Sequence, residues 1–326
     1  MKLERILFVT PYVGIDSPQT LSFAKLLMTT ISNQGIKVEN LPVSKTVNPL
    51  QINEQIRSLR RLINTFKPQI VVANYGTYTG LLVAIFGQRP KIVIYRGSDL
   101  NPQPSMPKVY RFAQHTASHI ASFIVDGIIC VSNELLKRLW VTSKPCEIIP
   151  DPTNLDLFQP LSREQCRTKL GWDTDSAITV FFGFGGRKEK RADLATIIRN
   201  KIRANDSNLE LKIIFEETPL AQMPIYLNAA DCLLFLSDSE GSPNLIRDAC
   251  ACNLPIVSVR VGDVDEVLKS VSPSKIVQRN VDIITEQVIN ITKLKTRSNG
   301  REHVIQYGKE IIARKHIEFY SSFIKE

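Results

Sequence analysis

The sequence predicts an α/β protein made of two successive parallel-sheet units, and three observations predict it. Short, continuously apolar runs alternate with segments of helical period from one end to the other. The chain has 326 residues, long for one α/β domain and comfortable for two of about 160. Near the middle, residues 146–160 hold three prolines with Asp and Asn and show no period, as a boundary between units would. Strands that are apolar at every position must be covered on both faces. That requirement selects a mostly parallel sheet with helices above and below.

Taken in order, strands are expected over residues 5–10, 37–41, 70–73, 91–95 and 127–131. Helices are expected over 21–32, 52–66, 110–124 and 133–140. The helix over 52–66 puts Ile52, Ile56, Leu59, Ile63 and Phe66 on one face, with Arg57, Arg60 and Arg61 off it. Such a helix suits either a packed domain or an anionic membrane surface. Residues 68–88 contain Asn74, Tyr75, Thr77, Tyr78 and Thr79, so a strand, turn and helix explain them better than a membrane span. A second strand series follows at 178–182, 211–215, 232–236, 255–259 and 276–278, with a helix over 225–230. One long helix is expected over 301–323, with no strand after it.

Composition narrows the function classes. With 43% hydrophobic and 22% charged residues the chain is globular. The opening MKLERILFVTPYV runs straight into a strand, so no secretory leader is expected. The six cysteines, at 130, 146, 166, 232, 250 and 252, form no C-x-x-C pair and read as buried free thiols of a reducing compartment. His115 and His119 have zinc-compatible spacing but no third ligand, so structural histidines are expected. Net charge is +9, and residues 1–160 supply +7 of it (17 Lys+Arg against 10 Asp+Glu). That excess points to an anionic partner, although a merely solvated basic surface fits as well. No zinc-finger spacing, aromatic ribonucleoprotein motif or basic tail is present, so nucleic acid is not the expected partner.

The chemistry concentrates in residues 232–268. An apolar strand ends in Glu240 and Gly241; Pro243 suits the first turn of a helix; Asp248 follows eight residues after Glu240; the next strand ends near Gly262. Ligands of open α/β sheets sit beyond the carboxyl ends of strands, and helix N-termini favour anions. A phosphate-bearing ligand with hydroxyls near the carboxylates is implied. Residues 183–191 add a second phosphate candidate. Glycines there let a backbone approach, and Arg187, Lys188, Lys190 and Arg191 supply charge. The dinucleotide fingerprint fails, because position 188 is Lys. A solvated basic helix start is the alternative.

The segment from Glu240 resembles the donor-site signature of the retaining glycosyltransferases of family 4, which have the GT-B fold. Glu240, Gly241, Pro243, Asn244, Ala249, Ala251, Pro255, Val257, Gly262 and Glu266 match that pattern in order, while Asp248 stands where the family has Glu. Residues 146–160 are similar to the family's interdomain loop at Phe158 and Pro160, with Asp151 and Pro152 in place of Asn-Gly. The resemblance implies two facing Rossmann-like domains with an interdomain cleft, and a C-terminal helix crossing back to the first. An acceptor-binding domain would span 1–155 plus about 310–326, and a nucleotide-sugar-binding domain 156–309. The implied activity is transfer of a sugar from a nucleotide diphosphate sugar, of hexosyltransferase type, with retained configuration, in cell-surface polysaccharide or glycolipid synthesis. No cofactor and no metal are implied.

The resemblance also distributes roles. Glu240 would hold the donor sugar and help stabilise charge at its anomeric carbon. Gly241, Ser242, Pro243 and Asn244 would line the sugar or phosphate, and Asp248 would bind ribose hydroxyls. Gly185 and Gly186 would cradle the diphosphate while Arg187 and Lys190 neutralise it, with Lys188 and Arg191 as substitutes in this short loop. On the acceptor side stand Gly14 and the turn Arg96, Gly97, Ser98 and Asp99. Arg96 replaces a family His and does not shuttle protons; Gly14 is equally a plain turn glycine. The short connection after Phe215 leaves the nucleotide open. Partners implied are a nucleotide sugar, a sugar or lipid-linked acceptor, and an anionic membrane met by the basic first half, at a cytoplasmic location on the inner face. Two rivals remain: a non-catalytic GT-B subunit supporting a partner enzyme, and a GT-B sugar-nucleotide epimerase.

Overall fold

The structure, a computed structural model, describes residues 2–12, 21–101, 107–140, 143–184, 186–206 and 208–324. Gly14 and Gly185 lie outside these residues. The chain divides into two compact units, one formed by Met1–Pro152 with Lys309–Glu326 and the other by Thr153–Gly308.

In the first unit the elements run β1 (Arg5–Pro11), α1 (Ser22–Asn33), β2 (Lys37–Val43), α2 (Pro49–Phe66), β3 (Ile70–Asn74), α3 (Tyr78–Phe86), β4 (Lys91–Tyr95), α4 (Lys108–Ile124), β5 (Gly127–Cys130), α5 (Asn133–Leu136) and β6 (Cys146–Ile148). Every pairing is parallel, in the order β2-β1-β3-β4-β5-β6. All five residues of β3 and of β4 are buried, as a sheet covered on both faces requires. Helix α2 starts earlier than its apolar period. Asn48 caps it by accepting from the Leu50 N–H at 3.0 Å, and Pro49 fills a position whose N–H has no partner anyway.

The second unit runs α6 (Arg163–Leu170), β7 (Ala177–Phe182), α7 (Ala192–Asn205), β8 (Leu209–Ile214), α8 (Met223–Ala229), β9 (Cys232–Phe235), α9 (Asn244–Ala251), β10 (Ile256–Val259), α10 (Val264–Leu268), β11 (Lys275–Val277), α11 (Val281–Lys293) and α12 (Gly300–Val304). Its sheet is also parallel, ordered β11-β10-β9-β7-β8. Alternate residues of β7 serve two cores: Val180 and Phe182 pack with α8, α9 and α10, and Phe181 packs with α7 and α11.

Two expected elements differ. The helix expected over 133–140 stops at Leu136. The helix expected over 301–323 breaks into α12, a 3₁₀ turn at Ile305–Tyr307, and α13 (Lys309–Ser321). At the break the Thr153 N–H donates to the Tyr307 carbonyl at 2.8 Å, and a Cβ on Gly308 would meet Leu155 at 3.2 Å. The local chain is held by residues some 150 positions away, which no helical period records. Beyond the break, α13 completes the first unit: Ile312, Ala313, Phe319 and Tyr320 join its core, and the Tyr320 ring meets Phe8 edge-on at 6.4 Å. Each fully buried large apolar side chain of this kind contributes roughly 1.5–3 kcal/mol.

Candidate functional site

Strand order places the site. In the second unit β7 lies between β8 and β9, so the chain leaves β7 toward β8 and leaves β9 toward β10, in opposite directions along the sheet. The loops after β7 and β9 therefore diverge at the carboxyl ends of the strands, where open α/β sheets take their ligands. Those loops are the two segments the sequence singled out, residues 183–191 and 236–243.

Charged contacts tie the two loops together. The Asp238 N–H donates to the Glu189 carbonyl at 2.8 Å, and Asp238 pairs with Arg191 at 3.3 Å and Arg279 at 3.0 Å. Arg279 also donates to the Leu236 and Ser237 carbonyls. Lys190 Nζ donates to Glu240 Oε1 at 2.5 Å, with side chains only 13% and 17% exposed. An ammonium with three donors thus spends one on the carboxylate beside it. Residues 188–190 form a 3₁₀ turn, and α7 begins only at Ala192, so the basic residues precede the helix instead of crowding its first turn. Arg187 is exposed; its guanidinium lies 5.9 Å from the Phe184 ring, and the Lys190 ammonium 5.5 Å. Gly186 adopts φ +74° with nothing near its absent Cβ.

The loop after β10 closes on the same place. Gly262 has φ +56°, and a Cβ there would lie 3.0 Å from the Gly241 carbonyl oxygen. A side chain would be strained in conformation and would also push the two loops apart.

Behind Glu240 the structure reveals a buried polar cluster. Arg247 is fully buried. Its guanidinium donates to the Ser242 hydroxyl, to Asn244 Oδ1 at 2.6 Å, and to Asp263 Oδ2 at 3.4 Å. Ser242 in turn donates to Asp263, and Tyr307 lies 5.5 Å from the guanidinium. The Ser242 hydroxyl and Asn244 Oδ1 are therefore spent internally. Among the described residues the N–H groups of Gly241, Ser242, Asn244 and Leu245 have no acceptor, as expected at the start of α9. Asp248 follows Asn244 by four residues on the same helix face, about 6 Å further along the axis. Burial pushes its carboxyl from 3.8 up to about 7, with Arg247 pulling the other way.

In the first unit the structure turns the acceptor-side candidates inward. Arg96 is buried: its Nη2 donates to Asn74 Oδ1 at 2.8 Å, its Nη1 pairs with Asp151, and its guanidinium lies 4.5 Å from the Phe23 ring. Asp99 is fully buried and accepts from the N–H groups of Gly76 at 3.0 Å, Gly97 at 2.8 Å and Arg96. Of that turn only Ser98 is exposed. His316 of α13 sits close enough to Arg96 that burial and the like charge push it down to about 3, so it stays neutral; its Nδ1 lies 3.0 Å from the Tyr320 hydroxyl.

Sequence reasoning missed Arg247, Asp263 and the Arg96–Asp151 pair. One signal was available: an arginine inside the small-residue helix 244–251 must be buried, and a buried charge needs a partner. The structure pairs Arg247 with Asp263 and leaves Glu266, the acid that the motif match singled out, exposed. His119 stacks on Trp140 at 3.9 Å, and among the described residues no group of three His, Cys, Asp or Glu is placed to hold a metal ion. All six cysteines are free.

Residues 176–293 match the family described as Glycosyl transferases group 1, a stretch that contains both loops of the site. TuaC of Bacillus subtilis (strain 168), provisionally named a teichuronic acid biosynthesis glycosyltransferase, is 26% identical over 218 residues, covering 61% of this chain and 55% of its own length. The chain therefore spans about half the length of the curated relative it matches. Among solved structures, sucrose-phosphate synthase from Thermosynechococcus elongatus superposes with a TM-score of 0.74 at 14% identity, covering 98% of each chain. HepE from Anabaena, in complex with UDP and glucose, superposes with a TM-score of 0.68 at 12% identity, covering 97% of this chain and 99% of that one. At such identities the likeness shows the fold: two Rossmann-like parallel-sheet units of the GT-B type. Among the described residues no helix is long and apolar enough to cross a membrane.

Proposed function

We propose that this protein is a retaining glycosyltransferase that moves a hexosyl group from a nucleotide diphosphate sugar to an acceptor, in polysaccharide or glycolipid synthesis. The observation that carries the reading is the Lys190–Glu240 pair at the point where strand order reverses, beside the open N–H groups that start α9. Glu240 would accept from the donor sugar's hydroxyls and stabilise charge developing at the anomeric carbon. Lys190, with two N–H donors left, and the exposed Arg187 would stabilise the departing diphosphate, which is the main electrostatic task. The acceptor oxygen would attack the same face of the anomeric carbon that the diphosphate leaves. The glycosidic bond forms as the carbon–phosphate-oxygen bond breaks, and the leaving phosphate takes the acceptor's proton. The match to group 1 glycosyltransferases and the likeness to a UDP- and glucose-bound structure support this reading. The test is thermal stabilisation by UDP-, GDP- and ADP-sugars, followed by transfer or hydrolysis with the one that binds. Arg187→Ala with Lys190→Ala is expected to weaken nucleoside diphosphate binding by more than tenfold and nucleoside binding hardly at all. Charge-assisted bonds to phosphate are worth about 1.5–3 kcal/mol each. Equal losses for the two ligands would show that neither cation meets phosphate.

Asp248 gives the reading a pH signature. Its folded pKa of about 7 lies above the ordinary 3.8. The native protein therefore binds more protons than the unfolded chain between those values, and this group's contribution to stability falls as pH rises through that window. Ribose hydroxyls donating to the carboxylate would favour its charged form, so donor binding would release a proton. Donor affinity is expected to fall roughly threefold to tenfold from pH 8 to pH 6, and Asp248→Asn to flatten that dependence. Calorimetric titration at the two pH values decides; an unchanged slope in Asp248→Asn removes the residue from the nucleotide site.

A second reading, a non-catalytic GT-B subunit, is favoured by Asp248 in place of Glu, by the short connection after Phe215 and, most of all, by Arg96. Where the resembling family has a His facing the reacting groups, this chain has a guanidinium locked to Asn74 and Asp151. Donor binding without turnover over any acceptor would select it.

A further inference from the structure

Helix α4 carries its apolar residues on the wrong side for a helix that only covers a sheet. It buries Ser118, His119, Ala121 and Ser122. It exposes Val109 (83%), Phe112 (73%), Ile120 (43%) and Phe123 (54%). The inward face is small because α3 lies close: a Cβ on Gly80 would sit 3.4 Å from that of Ala121. Trp140 stacks flat against His119 and is itself 67% exposed, so an indole extends the same apolar surface. Monomeric proteins seldom leave so many large apolar side chains together in water.

The charge around this face is one-sided. α4 packs on α3 and α3 on α2, so the three helices form one layer over the sheet. From the start of α2 to the end of α4 the chain holds nine Lys and Arg, of which Lys91 and Arg96 are buried, and two acids, Glu54, exposed on α2, and Asp99, fully buried. Arg57, Arg60 and Arg61 of α2 and Lys108 of α4 are exposed. A surface that is apolar and predominantly basic, with Glu54 of α2 its one exposed carboxylate, fits a partner that is apolar beneath and anionic on top. A second copy fits badly, because a two-fold contact would set this basic face against itself.

We propose that the α2–α3–α4 layer docks on an anionic lipid bilayer, with the apolar side chains of α4 and Trp140 entering the headgroup boundary and the α2 arginines meeting acidic headgroups. The arginine helix supplies charge, while its own apolar face is largely used inside the unit: Leu59 is buried and Ile56, Ile63 and Phe66 pack on the core. Insertion falls to α4. This docking does not rest on the sugar-transfer reading and would hold for a subunit without turnover.

Vesicle sedimentation tests it. The full chain is expected to pellet with vesicles of phosphatidylcholine and phosphatidylglycerol at low salt, to stay in the supernatant with phosphatidylcholine alone, and to release as salt rises. Phe112→Ser with Phe123→Ser should lower the partition coefficient at least tenfold, and so should Arg57→Gln with Arg60→Gln and Arg61→Gln. All five positions are partly or fully in solvent, and an unchanged melting midpoint confirms folding. The chain has two tryptophans, so Trp172→Phe leaves Trp140 as sole reporter, whose emission should shift blue on phosphatidylglycerol vesicles and quench with brominated acyl chains. Three results overturn the proposal: no sedimentation with anionic vesicles, binding indifferent to the phenylalanine pair, or a lipid-free dimer that Phe112→Ser with Phe123→Ser dissociates.

Discussion

Glu240→Gln is expected to lower the transfer rate by about 10²–10³-fold and to leave the protein folded. The reasoning is electrostatic: a group that stabilises charge developing in the transition state commonly contributes that much. Gln keeps the shape and the acceptor oxygen for Lys190 but removes the negative charge. The ion pair it replaces is only partly screened by solvent, since the two side chains are 13% and 17% exposed. With little of either side chain in solvent, its loss should cost about 1–3 kcal/mol of stability, between the exposed and the fully buried limits. The measurement is initial rate against donor concentration beside a thermal melt. A fall confined to kcat places Glu240 at the reacting sugar in the transition state; a rise confined to KM places it in ground-state binding. Turnover near that of the unchanged protein would remove Glu240 from the chemistry.

Arg247→Met is expected to destabilise the second unit by about 3–5 kcal/mol, because it strips the partner from a carboxylate that stays buried. For a unit of this size that is a fall of roughly 10 °C in melting midpoint. Asp263 is 5% exposed and burial already pushes its carboxyl up, while Arg247 and the Ser242 hydroxyl hold it down. Pairing the change with Asp263→Leu should recover most of the loss, since a packed apolar pair often replaces a buried ion pair at little cost. Function should not recover. The Arg247, Ser242 and Asp263 bonds join the loop after β9 to the loop after β10, and without them Gly241 and Ser242 lose their fixed position. A double variant that melts normally yet binds nucleoside diphosphate weakly separates positioning from stability. A single Arg247→Met variant melting within a degree or two of the original would show that the pair is solvated.

Both α/β units and the outline of the site were legible in the sequence because they rest on local rules. Continuous apolar runs, helical period, and the glycines and proline at strand ends are set within a few residues of one another. The acid–Gly–Ser–Pro–Asn segment at 240–244 and the basic loop at 183–191 are of this kind, and the structure brings them together through Lys190 and Glu240. Their meeting itself was not local: it follows from β7 lying between β8 and β9, an order no single segment encodes. Tertiary structure alone decided the rest. The helical period continues through residues 305–308, yet the chain breaks there because Thr153 and Leu155 hold it. Period identified α4 as a helix, but only packing selected its inner face, since the closeness of α3 admits only small side chains. In the sequence Arg96 stands out only as a turn residue and Arg247 not at all. Packing buried both, and a buried charge takes whichever carboxylate the fold brings within reach: Asp151 for one, 55 residues on, and Asp263 for the other, 16 residues on.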